Sequence, residues 1–328
     1  MLAANSNETS AQTLKMSKPA ARLKETTSPR DAASWPEQVV QAIRRAEAFY
    51  SKGMYEKAEA YYLHALAGAE QAFGPDHLKV AMVLNNLGVI YKCLARFAEA
   101  RRVYERSLAI MEPVLGPEDC DVAVLYHNLG GLEHASGNYA RGEPFARKSV
   151  EIREKALGPN HPLVAADLAA LGALLEGQRK FDEAEQLYRR SLEILVRAHG
   201  HAHSEVAVIV NNLASVCLAT GRVAEAEDYY LQALSIKEQV LSPGHPEVGM
   251  TLNNLAVFYK TVRQYDKAEA YYQRALSVFE KVFGPKHPKV AVTLDNYAKL
   301  LRKMGRADDA RAFANQAKAA RNGHGESR

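Results

Sequence analysis

The feature that most constrains this chain is a phrase that returns every 42 residues. It reads Phe73-Gly74-Pro75, Leu115-Gly116-Pro117, Leu157-Gly158-Pro159, His199-Gly200-His201, Leu241-Ser242-Pro243 and Phe283-Gly284-Pro285, and no insertion breaks the register. Between these phrases the apolar residues keep helical spacing. In the clearest copy Leu252, Leu255, Ala256 and Tyr259 fall at i, i+3, i+4 and i+7, one face of a first helix. Ala268, Tyr272 and Ala275 mark a second helix, after the polar turn Arg263-Gln264-Tyr265-Asp266. Neither helix can bury its stripe alone, and the pair needs a neighbour like itself. A fixed period of this length predicts stacked helix pairs, and that expectation outranks every other signal in the chain.

The columns of the repeat are chemically consistent. The small residue of the first helix recurs as Gly88, Gly130, Gly172, Ala214, Ala256 and Ala298. The alanine of the second helix recurs as Ala100, Ala184, Ala226, Ala268 and Ala310, with Gly142 in one unit, and an aromatic follows it as Tyr104, Tyr188, Tyr230 and Tyr272. A shorter unit precedes these six. Pro36 suits a first helical turn, Val39, Ile43, Ala46 and Phe49 make a stripe, and Ala58, Tyr62 and Ala65 match the second-helix columns. The lone Trp35 is expected to cover the end of the stack. The unit with Gly131, Glu133, Gly142 and Pro144 is the irregular one, with reduced helix propensity.

Leu84, Leu87, Gly88 and Tyr91, followed by Ala100 and Tyr104, resemble the tetratricopeptide repeat. The usual period of that repeat is about 34 residues. The longer form, with Asn253-Asn254-Leu255-Ala256 and Gly284-Pro285-Lys286-His287-Pro288, is similar to the kinesin light chain repeat. The resemblance implies an all-α superhelix (an α-solenoid) of about seven helix pairs over residues 35–321. It also implies non-enzymatic peptide or protein binding along a concave face, as a scaffold or cargo adaptor. One departure counts against a motor subunit. The heptad coiled coil that joins the motor heavy chain in that family is not found, since residues 1–34 are too few and too polar to supply it.

Composition excludes several function classes. A formal net charge of +4 falls short of the basic stripe expected of a nucleic-acid binder. Cys93, Cys120 and Cys217 share no metal or redox spacing. Cys120 reads as a connector residue, and idle thiols fit a reducing, cytoplasmic compartment. No apolar run is long enough for a membrane span. Residues 1–34 and 322–328 lack the large apolar residues that repay ordering, so both read as disordered tails around the array.

The chemistry-bearing residues sort into three groups. His77, His161, His203, His245 and His287 recur one per unit, and in three units His precedes Pro. A residue before Pro is held extended, which suits an N-cap with Pro at the first helical position. Asp119 takes the same place in its unit, and Asp is a strong N-cap. The run His199-Gly200-His201-Ala202-His203 is denser, but ligand spacing alone is weak evidence, so no metal and no cofactor are assigned. No phosphate loop, nucleophile elbow or zincin motif occurs.

The third group is the face of each first helix turned away from its partner. By the resemblance it lines the binding groove, as Asn85, Lys92, Asn211, Asn253, Val257, Lys260, Asn296, Lys299, Arg302 and Lys303, with His127 and Asn128 in the irregular unit. Asn is a poor interior helix residue, so its recurrence at two adjacent positions needs a reason. Either paired amides grip the backbone of an extended peptide, or they fix the stacking of neighbouring repeats. The expected partner is a protein or a short acidic peptide with an apolar anchor. Two alternatives are a regulatory peptide sensor that changes superhelical pitch and a subunit of an enzyme complex.

Overall fold

In the computed structural model, which describes residues 34–322, the connector histidines open the first helices. Nδ1 of His77, His161, His203, His245 and His287 accepts the backbone N–H two residues on, at 3.1–3.3 Å, and Asp119 does the same at 2.7 Å. Pro162, Pro246 and Pro288 stand at the first helical position, where a missing N–H costs nothing. The second helices end where glycine follows: Gly74, Gly116, Gly158 and Gly284 combine φ of 79–91° with an extended ψ. Only glycine adopts that conformation freely.

These signals cut the described residues into fourteen helices and no strand. They are α1 (Glu37–Ser51), α2 (Tyr55–Phe73), α3 (Leu78–Cys93), α4 (Phe97–Leu115), α5 (Cys120–Ala135), α6 (Tyr139–Leu157) and α7 (Pro162–Gly177). Then follow α8 (Phe181–His199), α9 (Ser204–Ala219), α10 (Val223–Val240), α11 (Pro246–Thr261), α12 (Tyr265–Phe283), α13 (Pro288–Lys303) and α14 (Ala307–Asn322). Two boundaries differ from the sequence reading: Pro36 is the N-cap of α1 rather than its first residue, and Cys120 begins α5 rather than lying in a connector. The expected tails at 1–34 and 322–328 fall almost wholly outside the described residues.

The chain forms two compact units, one ending at Leu187 and the other beginning at Tyr188 within α8. In the first, α1 packs on α2, α3 on α4 and α5 on α6; in the second, α9 packs on α10, α11 on α12 and α13 on α14. The core of each is built from the predicted columns. Ala58, Tyr62, Ala100 and Tyr104 are fully buried in the first unit, as are Ala226, Ala268, Tyr272 and Ala310 in the second. Trp35 packs edge-on against Phe73, with ring centroids 5.7 Å apart, at the start of the first unit. Among the described residues no helix is long and apolar enough to cross a membrane.

The turn between the two helices of a pair has its own column, occupied by Gly53, Gly137, Gly221 and Gly305 in a left-handed conformation. Ala95, Arg179 and Arg263 hold the same conformation with φ of 56–64°. A residue with a Cβ is strained there by roughly 1–2 kcal/mol. Arg263→Gly is therefore expected to stabilise the second unit by about 1 kcal/mol, part of the relieved strain being offset by glycine's greater freedom when unfolded. Thermal or urea melts of parent and variant check this, and a lower midpoint for Arg263→Gly would contradict it.

The irregular unit is a matched exchange. Tyr259 Oη donates to Glu227 Oε1 at 2.7 Å, and Tyr91 is hydrogen-bonded to Glu59 at the same separation in sequence. In the column of those tyrosines stands Glu133, and in the column of those glutamates stands Arg101; the two form an ion pair. Gly142 makes the room. A methyl group there would lie 2.9 Å from Glu133 Cβ and 2.5 Å from Leu174 Cδ2.

Candidate functional site

In the first unit the repeated amides bind each other. Asn128 Nδ2 on α5 donates to Asn85 Oδ1 on α3 at 2.7 Å, and both helices turn this face toward each other. Lys92, about two helical turns further along α3, is half-buried, and burial pushes its ammonium below the usual lysine range. Gly131 lies beside it, and a methyl group there would make an ordinary contact with Lys92 Nζ at 3.6 Å. Burial, with the Lys92 charge as a smaller cause, pushes His134 down to about 4. His127 is turned away from this face, its Nδ1 lying 2.6 Å from Asp167 Oδ1 on α7. Arg153 Nη1 on α6 donates to the same oxygen at 2.7 Å, and all three side chains are buried.

The second unit repeats the amide contact and adds charge. Asn254 Nδ2 on α11 donates to Asn211 Oδ1 on α9 at 3.0 Å. Asn253 is also buried, and its Oδ1 has no hydrogen-bond partner among the described residues. Asn296 is buried on α13, while Val257 on α11 is half-buried. Lys260 lies at the C-terminal end of α11 with Nζ 5.9 Å from the Tyr272 ring centroid. Burial is the largest cause that depresses its ammonium, followed by Lys299 and Lys303, and together they bring it to about 8. Lys299, Arg302 and Lys303 are exposed along the last turns of α13. The helix C-termini themselves favour cations there. Asp295, beside Asn296 on α13, is paired with Arg321 of α14.

The structure thus brings Lys260 close enough to Lys299 and Lys303 for each to oppose its charge, with Val257 one turn before it on α11. Asn85 and Lys92 lie in the other unit. Two features were missed in the sequence. One is the buried Arg153–Asp167–His127 cluster. The other is a ladder in which the residue just before one second helix binds a glutamate of the preceding second helix: Arg96 binds Glu59 and Arg306 binds Glu269, each at 2.8 Å, and Lys180 binds Glu143 at 2.9 Å. The sequence signal for the ladder was there: Glu59, Glu143, Glu227 and Glu269 occupy one column of the repeat.

The family model for the tetratricopeptide repeat matches residues 39–112, 121–196, 205–261 and 247–322. The chain belongs to the tetratricopeptide repeat family. Among curated proteins no sequence matches it. Solved structures similar to this tetratricopeptide repeat protein include BtubC (BKLC) from P. vanneervenii, at 24% identity and a TM-score of 0.54, covering 71% of this chain and 92% of that one. A kinesin light chain of Podosopora anserina with nearly identical TPR-like repeats matches at 20% identity and a TM-score of 0.51, covering 65% of this chain and 100% of that one. A Rap protein complexed with Competence and Sporulation Factor matches at 13% identity and a TM-score of 0.66, covering 94% and 81%. At these identities the likeness establishes the repeat fold, with kinesin light chain-like repeat proteins among its neighbours.

Proposed function

We propose that this tetratricopeptide repeat protein is a non-enzymatic, cytoplasmic scaffold or adaptor that binds an acidic peptide segment of a partner protein. The observation that carries this reading is the placing of half-buried Lys260 near Lys299 and Lys303: burial first, and then these two charges, bring its ammonium down to about 8. Like charges held together beside a half-buried ammonium are relieved when a carboxylate arrives. Val257 supplies apolar ground beside Lys260 for one anchoring side chain, and Arg302 extends the charge along α13. Asn253 and Asn296 belong to the same faces of α11 and α13. Asn211 is spent on Asn254, so its role in the site is to hold α9 and α11 in register. Asn85 does the same for α3 and α5, beside Lys92. That the Rap neighbour was crystallised with a bound factor is in keeping with a ligand-binding repeat array.

The sign of the pH dependence follows from Lys260. A bound carboxylate raises its pKa above the free value of about 8, so binding is full below that value and weakens as pH rises through and above it. Affinity should also fall with salt without vanishing, because the charges are partly exposed. The test titrates the parent and Lys299→Ala/Lys303→Ala with a fluorescent acidic peptide library at pH 7 and 9.5. Each removed charge is expected to cost about 1 kcal/mol, roughly five-fold. Asn253→Ala should weaken binding without lowering the melting temperature, whereas Asn211→Ala should lower it by stranding the Asn254 amide. Equal affinity for the parent and the double lysine variant would overturn the proposal.

A further inference from the structure

The connector between α8 and α9 differs from its equivalents in a coordinated way. In the first and last full repeats an aromatic residue ends the second helix and stacks on the N-cap histidine four residues later. Phe73 and His77 have ring centroids 5.0 Å apart at 27°, and Phe283 and His287 lie 4.2 Å apart at 15°. A lysine two residues past each cap sits over the phenyl ring, Lys79 at 4.5 Å and Lys289 at 5.9 Å. The repeat backbone therefore builds a small sandwich of phenyl, imidazole and ammonium at this place. Between α8 and α9 the same places hold His199, His203 and Glu205. The rings still stack, with centroids 4.4 Å apart at 24°. His199 Nε2 lies 3.6 Å from Glu205 Oε2. A sandwich with one ring nitrogen donor has become two imidazoles and a carboxylate.

We propose that His199, His203 and Glu205 form a binding site for a first-row transition-metal dication, of the zinc or nickel class. One donor atom from each residue lies within 4.8 Å of the others. Zinc bonds of 2.0–2.2 Å to nitrogen and oxygen place tetrahedral donors roughly 3.3–3.5 Å apart, so closure about an ion needs shifts on the order of 1 Å. His199 is exposed and Glu205 half-buried, so both can turn without disturbing the core. Two imidazoles and one carboxylate suit these ions rather than calcium or magnesium, and water completes the coordination. His201 stands exposed in the same connector, outside this donor set.

His203 links the ion to the fold. Its Nδ1 accepts the Glu205 N–H at 3.3 Å, the longest of the six cap bonds, and its φ of −139° departs from the −71° to −85° of the other five. With Nδ1 accepting, the neutral ring carries its proton on Nε2. Coordination through Nε2 moves that proton to Nδ1, and coordination through Nδ1 displaces the amide. Either way the Glu205 N–H loses its acceptor, so the ion competes with the longest of these six cap bonds.

The experiment uses the full chain without an affinity tag, stripped with chelator and titrated calorimetrically with Zn2+ and with Ni2+. The expected result is one saturable equivalent, at least ten-fold weaker in His199→Phe and weakened in Glu205→Gln. His199→Phe installs the residue that the first and last repeats already carry, and circular dichroism melts verify its fold. In parallel, 15N spectra should show the Glu205 amide shifting as the first equivalent binds. The chain has 11 histidines, so weak binding elsewhere is separated by the comparison of variants. Superimposable isotherms for parent and His199→Phe, or no saturation near one equivalent, would overturn the site. Peptide binding at α11 and α13 is independent of the outcome.

Discussion

Gly88→Leu is expected to unfold the first unit at temperatures where Lys260→Ala leaves the chain intact. Gly88 lies in the middle of α3 against the ring of Tyr104, and a single methyl group there would stand 2.4 Å from Tyr104 Cε1 and 2.7 Å from Cζ. The ring cannot give way, because Tyr104 is fully buried between α3 and α4. Overpacking of this kind costs about 1–3 kcal/mol for an added methylene or two, and more where rigid rings are the neighbours. The leucine adds four carbons, so the loss is expected to reach or exceed about 3 kcal/mol. Gly88→Ala should fall between parent and Gly88→Leu, and Gly88→Ala with Tyr104→Leu should recover part of the loss. Ala256→Leu, at the fully buried equivalent position on α11, is expected to behave alike. Urea melts of the five variants check the series. A parent-like midpoint for Gly88→Leu would contradict the register of the repeat.

The close approach at Gly88 was legible because it belongs to a column. So were the N-caps, the glycines that end the second helices, and the buried alanines and tyrosines. Six copies of each position average away the ambiguity of any one residue, and the period fixes which positions to compare. What escaped were the exchanges between columns. Glu133 alone reads as a lapse from tyrosine, and Arg101 alone as a surface residue. Their pairing shows only when both are seen as departures from a tyrosine–glutamate contact that recurs elsewhere. The same is true of His199 with Glu205. The candidate groove was legible in part. Its cations stand where the helical periodicity put them, and their mutual effect on Lys260 needed coordinates. Period alone could not tell a ligand-gripping amide from a stacking one, because both uses ask for Asn on the same face. The coordinates add that Asn128 donates to Asn85 and Asn254 to Asn211, so these amides do join neighbouring first helices.

The largest single loss from a polar substitution is expected at Asp167. Its column otherwise holds Val83, Leu125, Ile209, Thr251 and Thr293, and the column of Arg153 holds Met111, Leu195, Lys237 and Phe279. An acid and a base have thus entered two mostly apolar columns that meet between α6 and α7. Asp167 is 0% exposed and Arg153 1%, so each charge depends on the other. Arg153 Nη1 and His127 Nδ1 both lie on Asp167 Oδ1, at 2.7 and 2.6 Å, and Oδ2 has no hydrogen-bond partner among the described residues. Asp167→Ala leaves the guanidinium buried without its counter-ion, a loss of about 3–5 kcal/mol. Asp167→Asn keeps an acceptor and should cost less. The informative variant is Arg153→Met with Asp167→Leu, which returns both columns to residues of the kind the other repeats use. A buried pair replaced by well-packed apolar groups is often neutral or stabilising by about 1–4 kcal/mol, so the double variant should melt near the parent despite the severe single change. His127 then loses its acceptor, and His127→Asn in the same background shows whether that residue limits the recovery. Melts of parent, Asp167→Ala and the double variant decide the matter. A parent-like midpoint for Asp167→Ala, or a double variant as unstable as that single one, would show that the cluster does more than neutralise itself.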